Sequence, residues 1–184
     1  IGPLSGVSAE VSGLTLLWAN MDQAIARGQI TSLSILAVIC FVLFLISTRR
    51  AGLSILATAV NLMPVVVIAA ALGHLGLPID MATIFILALL LGIAVDDTSF
   101  YLHAHLRHAA RGGTLLDTLT EVTPAMIVTS ILITAGFAVL LVSSFVPIQT
   151  FGLFTALGIL CATAADIVLL SILIMLFQPK GHIK

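Results

Sequence analysis

The sequence predicts an all-α integral membrane protein with five transmembrane helices, and three observations lead to this fold class. Of the 184 residues, 60% are hydrophobic and only 8% are charged, whereas soluble domains carry roughly 25% charged residues. The mean hydropathy is +1.27. Five apolar stretches each approach or exceed the roughly 20 residues that a helix needs to cross a bilayer. So much apolar surface cannot be kept out of water in a chain of this size, so lipid must be part of its solvent.

The apolar stretches set the predicted spans and the organisation of the chain. The five spans are residues 30–47, 51–72, 81–102, 122–143 and 151–177. Short connections join them at 48–50, at 73–80 and at 145–150, and the longer polar segment 103–121 joins the third span to the fourth. Pro78 lies in the second of these connections and breaks any continuous helix there, and Pro147 lies in the connection 145–150. We therefore divide the chain into an extracytoplasmic segment 1–29, a five-helix transmembrane domain 30–177 and a polar tail 178–184.

Basic residues predict the orientation, because cytoplasmic loops are enriched in Lys and Arg. If the turn at Arg49 and Arg50 is cytoplasmic, alternation of the helices also places Arg107, Arg111, Lys180 and Lys184 there. Only Arg27 then lies outside, so we expect an extracytoplasmic N-terminal segment and a cytoplasmic C-terminus. Within residues 1–29, the stretch 16–27 with Trp18 is typical of a helix lying at the membrane interface. The chain starts at Ile1, and we expect it to be part of a longer or processed polypeptide.

Charge and cysteine content exclude several classes of partner. The formal net charge is −1, which indicates no nucleic-acid partner. Cys40 and Cys161 both lie in apolar runs and are interpreted as small packing residues, with no disulfide or metal site. His103, His105 and His108 are spaced so that metal binding has to be considered. Because Arg107 and Arg111 interleave with them, we favour a solvated amphipathic helix instead, and we expect no cofactor and no metal.

Three carboxylates in the apolar spans are the candidate functional groups. Asp96 and Asp97 interrupt the third span, and Asp166 lies in the fifth. A charged Asp near the bilayer centre costs about 2.5–3.5 kcal/mol unless it is protonated, paired or facing water. Asp96 and Asp166 each follow the outer end of their span by fifteen residues, which is roughly 22 Å along a helix. The two helices run in the same direction, so we expect these carboxylates at one depth.

The fourth span runs the other way and adds two hydroxyls to this layer. Thr129 and Ser130 lie roughly 10–12 Å from its cytoplasmic start, and we treat them as possible support for the carboxylates. Alternatives stay open for each group. Asp96 and Asp97 could be hydrated at a frayed helix end, Asp166 could be buried against backbone donors, and Thr129 and Ser130 could bond their own helix backbone.

Small and polar residues near the carboxylates are predicted to serve packing. Gly92 and Ala162 each precede a carboxylate by four residues, on the same helical face, and would let a neighbouring helix approach. Gly152, Ala156 and Gly158 form a second small-residue surface. In the second span, Asn61 is expected to bond across helices in a structural role. Two local predictions concern the helix geometry: Pro64 kinks or loosens the second span, and Asp80 caps the start of the third.

Several motifs in order resemble one family. The run Gly-Ile-Ala-Val-Asp-Asp-Thr at 92–98 resembles a membrane helix of the resistance-nodulation-division (RND) superfamily, most closely hydrophobe/amphiphile exporters with MMPL-type domains. Patched-like and sterol-sensing proteins share a similar Gly-x-x-x-Asp-Asp. The segments 76–83, 143–147 and 151–152 and the pair at 165–166 also resemble these exporters. The resemblance covers about residues 13–177 and implies helices eight to twelve of a two-half transporter in the cytoplasmic membrane.

The resemblance implies a proton relay. Carboxylates at the position of Asp96 and Asp97 relay protons in this family, and two nearby carboxylates disfavour double ionisation, so one should bind a proton near neutral pH. Asp166 would assist. The lysine that partners these aspartates in drug-efflux members has no counterpart in these spans. The implied partners are membrane lipids, the N-terminal half of the same transporter and a hydrophobic or lipid substrate, and a homo-oligomer remains an option.

Two other functions fit the same features. A sterol- or lipid-sensing membrane module without transport would share the carboxylate motif and the five spans. An intramembrane aspartyl protease would also have two aspartates at equal depth, but its Gly-x-Gly-Asp motif is absent here. We therefore expect an exporter that is not an enzyme, with the lipid-sensing module as the alternative.

Overall fold

The structure, a computed structural model, describes residues 28, 30–77 and 81–177 of the chain. The predicted interfacial helix around Trp18, the cap at Asp80 and the tail 178–184 lie outside these residues. The described helices are α1 (Ile30–Thr48), α2 (Ala51–His74), α3 (Met81–Ala110), α4 (Leu115–Ala138), α5 (Val146–Ala164) and α6 (Ser171–Phe177). A 3₁₀ turn, Val139–Val142, extends α4, and a π-helical turn, Ala165–Leu170, joins α5 to α6.

The predicted fold class is confirmed. α5, the π turn and α6 run as one continuous helix, Val146–Phe177, which we call the fifth helix. With it, five helices are long and apolar enough to cross a membrane. No strand occurs within the ranges given above. The apolar stretches identified in the sequence therefore correspond one to one with the five long helices.

The fifth helix lies at the centre of the bundle and positions the other elements. It packs against α2, α3 and α4, and α2 and α3 also pack against each other. Leu90, Ile159 and Leu170 are among the fully buried side chains at these contacts. α1 and α4 are mostly exposed, with large apolar side chains such as Val38 and Leu132 facing outward, as expected for helices that meet lipid.

The corner between α3 and α4 is tighter than the sequence predicted. The connection was placed at residues 103–121, but α3 continues to Ala110 and α4 begins at Leu115. The histidine-rich part of α3 still has buried side chains, those of Ala104 and His105, so the helix packs against its neighbours beyond Leu102. Gly112, at φ 75°, ends the α3 side in a conformation that suits glycine. Thr114 starts α4 with a capping box, in which its side chain accepts from the backbone N–H of Asp117.

The prediction that Pro147 lies in a connection between spans was also wrong. The fifth helix begins at Val146, so Pro147 occupies its first turn, where the missing N–H would have no helical acceptor. In α2, Pro64 is buried and lies inside the continuous helix Ala51–His74. Neither Pro64 nor Pro147 therefore interrupts the helix in which it lies.

Candidate functional site

The three carboxylates differ in their exposure. Asp96 is exposed on the outer face of α3, and Asp97 is half-buried. Asp166, in the π turn of the fifth helix, is only 1% exposed. Asp96 and Asp97 are neighbours on α3, and the next residue, Thr98, bonds directly to Asp166. The three carboxylates thus form a series from the surface of the bundle to its interior.

A hydrogen-bonded chain connects Asp166 to two other helices. The hydroxyl of Thr98 on α3 donates to Oδ1 of Asp166 over 2.5 Å. Asn61 on α2 donates from Nδ2 to Oγ1 of Thr98 over 3.0 Å, and also to the carbonyl oxygen of Ala57 over 3.0 Å. The predicted bond of Asn61 across helices is therefore present. Asp166 accepts from a side-chain hydroxyl, which differs from the alternative of backbone donors.

Two oxygens of this cluster lack a donor. Oδ2 of Asp166 and Oδ1 of Asn61 are both buried and have no hydrogen-bond partner. A buried acceptor without a donor costs about 1–3 kcal/mol. The ion pairs between side chains of the described residues include those of Arg107 and His108 with Glu121, and neither of these involves Asp166. Oδ2 of Asp166 can therefore bind a proton, and both oxygens can accept a hydrogen bond from a further donor.

The two hydroxyls predicted on α4 have different roles. Thr129 is exposed and donates to backbone carbonyls of its own helix, those of Ala125 and Met126, which is the structural alternative for that residue. Ser130 is buried and bonds to Thr163 over 2.5 Å. Because Thr163 donates its hydrogen to the carbonyl of Ile159, Ser130 is the donor. This contact lies three residues before Asp166, roughly 4.5 Å along the helix.

The π turn allows the fifth helix to bond α3 at two points. Tyr101 bonds to Ser171 over 2.7 Å, and Ser171 donates to the carbonyl of Ile167, so the tyrosine hydroxyl is the donor. Asp166 and Ser171 are five residues apart, and in a regular α-helix they would point about 140° apart. The wider π turn brings both onto the face that meets Thr98 and Tyr101.

The predicted packing residues divide into buried and exposed positions. Ala162 is 2% exposed. Gly92 is exposed, and a Cβ added there would meet nothing within 4 Å. No helix of the described chain therefore approaches Gly92. Close approaches occur at Gly152, whose added Cβ would lie 2.7 Å from the carbonyl oxygen of Phe137, and at Gly158, whose added Cβ would overlap Leu90.

The histidines lie on the amphipathic end of α3 and join helices there. His103 bonds to Ser47 of α1 over 3.2 Å and to the carbonyl of Ser99 over 2.8 Å. His108 and Arg107 both pair with Glu121 of α4. In the part of the chain that the structure describes, no group of three or more His, Cys, Asp or Glu side chains is arranged to hold a metal ion.

Comparisons with family models, curated proteins and solved structures returned no match. The class of the protein rests on its own residues: it is an all-α protein whose five long apolar helices are those of a multi-pass membrane protein. Its candidate site is the series Asp96, Asp97 and Asp166. Sequence reasoning missed Thr98, Thr163 and the Tyr101–Ser171 pair as members of the interhelical polar contacts.

Proposed function

We propose that this chain is the C-terminal membrane part of a proton-motive-force-driven exporter of the RND type. The observation that carries the proposal is the series of three carboxylates, from exposed Asp96 through half-buried Asp97 to buried Asp166. Ionisable groups inside a membrane domain are costly and mark ion or proton pathways. The motif at 92–98 supports the same reading through its resemblance to RND exporters.

In this proposal the exposed side chain of Asp96 faces protein or water and not lipid. It is exposed on α3 beside Gly92, where the bundle offers open space. A charge facing hydrocarbon would cost about 2.5–3.5 kcal/mol, so the face needs protein or a water-filled cavity against it. We assign this place to the N-terminal half of the same transporter. Gly92 then serves the packing predicted for it, between the two halves.

In the proposed mechanism a proton enters from the outer side at Asp96, passes to Asp97 and reaches Asp166. Each pH unit of gradient supplies about 1.4 kcal/mol, and each charge that crosses 100 mV adds about 2.3 kcal/mol. Protonation of Asp166 removes the negative charge of the carboxyl to which Thr98 donates, so the bond that joins α3 to the fifth helix is kept but becomes weaker. The proton thereby alters helix packing, which extracytoplasmic domains convert into export.

The remaining parts of the proposal concern substrate and orientation. The substrate class is hydrophobic or amphiphilic molecules, lipids among them, as the resemblance implies. The Arg49 and Arg50 turn lies on the cytoplasmic side of the inner membrane, with Arg107 and Arg111 at the same end. Assembly into a homo-oligomer is compatible with the exposed apolar surfaces of α1 and α4.

The test is Asp96→Asn in the intact protein, reconstituted into liposomes with an imposed pH gradient and a fluorescent phospholipid analogue as the transported probe. We expect transport to be lost while expression and thermal stability are kept. Ser99→Ala, three residues along α3, is the matched control and should transport normally. Full transport by Asp96→Asn would overturn the proposal. Lipid binding that is independent of pH, without transport by the wild type, would favour the lipid-sensing module.

A further inference from the structure

We infer that Thr98 and Asn61 are positioning residues that hold the Asp166 carboxyl so that Oδ2 is the oxygen that binds and releases a proton. The inference deepens the proposed function and rests on it only in taking Asp166 as part of the relay. Neither residue belongs to the carboxylate series. Both are fully buried, on two different helices that pack against the fifth.

The orientation of the Asn61 amide is fixed by its contacts. The carbonyl of Ala57 can only accept a hydrogen bond, so the Asn61 atom facing it must be Nδ2, as found. The second hydrogen of Nδ2 goes to Oγ1 of Thr98. Both amide hydrogens are therefore used, and Asn61 acts on Thr98 as a donor.

The direction of the next bond follows from this. Thr98 has one hydroxyl hydrogen and already accepts from Asn61, so its own hydrogen is directed to Oδ1 of Asp166. The same carboxyl has no donor at Oδ2. The two oxygens of Asp166 are thus inequivalent, although a free carboxylate would have equivalent ones.

The inequivalence decides where a proton binds. A proton on Oδ1 would compete with the Thr98 hydrogen for that oxygen, and Thr98 would have to turn away. A proton on Oδ2 converts the carboxylate to a carboxylic acid and leaves the Thr98 and Asn61 bonds in place. Its release restores the carboxylate, and no other hydrogen bond has to break or form. Oδ2 is therefore the exchanging oxygen and Oδ1 becomes the carbonyl oxygen of the acid.

Few other charged groups face Asp166. From α3, the carboxyl of Asp97 and the phenol of Tyr101 are the titratable groups near it. Within the described part of α2, the titratable His74 stands at the far end of the helix, and Asn61 is the group that faces the site. The fifth helix contributes no further titratable side chain within its own π turn or α6. The Thr98 hydrogen is consequently the direct hydrogen-bond contribution to the charged form.

The experiment is infrared difference titration of the intact protein in lipid, which follows the carbonyl stretch of protonated carboxyl groups. Asp166→Asn identifies the Asp166 band by its loss, and Asp166→Glu identifies it by a shift in case Asp166→Asn does not fold. Because Oδ1 carries the Thr98 hydrogen bond, Thr98→Val should move this band to higher wavenumber. Removal of a donor favours the protonated form, so the midpoint should move up by about one pH unit, a tenfold change in proton affinity.

Matched variants separate positioning from packing. Thr98→Ser keeps the hydroxyl and should restore both the wavenumber and the midpoint. Asn61→Leu should shift the midpoint in the same direction by less, because it removes only the donor to Thr98. Thr58→Val, on α2 but bonded to its own helix, should leave both unchanged.

Clear outcomes would overturn the inference. A Thr98→Val band at the wild-type wavenumber would mean that the proton binds Oδ1. A Thr98→Ser variant that behaves like Thr98→Val would mean that the shape of the side chain, and not its hydroxyl, sets the wavenumber and the midpoint. An Asn61→Leu variant with the wild-type midpoint would mean that Asn61 has no positioning role. These results are independent of transport: Asp96→Asn with full activity refutes the exporter mechanism and leaves the band shifts intact.

Discussion

Gly152→Ala should weaken the contact between α4 and α5. A Cβ at Gly152 would lie 2.7 Å from the carbonyl oxygen of Phe137 and 2.7 Å from Cβ of Leu140, and ordinary contact begins at 3.4 Å. The helices must therefore separate by about 0.7 Å, the difference of these two distances. Neither atom can rotate away, because one belongs to the backbone and the other is attached directly to it.

The cost can be worked from this geometry. Overpacking of a close-packed interior costs about 1–3 kcal/mol. The higher helix propensity of alanine returns up to about 1 kcal/mol, and less where the unfolded chain stays helical in the membrane. We expect a net loss of roughly 1–2 kcal/mol, a factor of about 5–30 in the unfolding equilibrium.

The assay is reversible unfolding of the intact protein in bicelles, with Gly136→Ala as the control. Gly136 lies on α4, and an added Cβ there meets nothing within 4 Å, so its substitution should cause no loss of stability and should gain up to about 1 kcal/mol from the helix propensity of alanine. Equal stabilities of the two variants would refute the reasoning, since the close approach at Gly152 would then carry no energetic weight.

Two further predictions concern hydrogen bonds. Tyr101→Phe removes the donor to Ser171 and should cost about 0.6 kcal/mol, with 1.7 as an upper value; a double-mutant cycle with Ser171→Ala checks this, and additive losses would contradict the bond. Thr114→Ala removes the capping box with Asp117 and should cost about 1 kcal/mol, whereas Thr114→Ser should lose little; thermal unfolding of the three proteins decides, and equal loss in both variants would contradict the cap.

The approach of α3 to Asp166 is in line with counting from the apolar boundaries of the two spans, and not from the ends of the helices. The fifth helix begins at Val146, well before the boundary assumed at residue 151. Even so, Thr98, two residues after Asp96, bonds directly to Asp166. The extra turn around Pro147 lengthens the helix without moving the apolar boundary used for counting.

The buried face of α3 could also be predicted from the spacing of its residues. Leu91, Ala94, Thr98 and Tyr101 are all buried, and their spacing of three and four residues is that of one helical face. This face excludes Asp96, which is two residues from Thr98 and points roughly the opposite way. The sequence prediction considered only the carboxylate pair on α3 and therefore missed Thr98, which contacts Asp166.

Other features could not be read from the sequence. No residue type specifies the π turn at Ala165–Leu170, since its residues also suit an α-helix. The exposure of Gly92 depends on which helices surround α3. A small residue near a carboxylate predicts that a helix can approach there, but it does not predict which helix does so. These are tertiary outcomes, decided by packing after the helices have formed.

The π turn between α5 and α6 amounts to one extra residue accommodated within a helix. A protein with the same bundle but a straight fifth helix would match this chain residue for residue only up to the turn. Beyond it, Ser171 and Ile174 would correspond to positions shifted by one. An alignment without a single-residue gap in 165–170 would therefore assign lipid-facing residues to the interior, and any comparison of this chain with a distant relative should allow that gap.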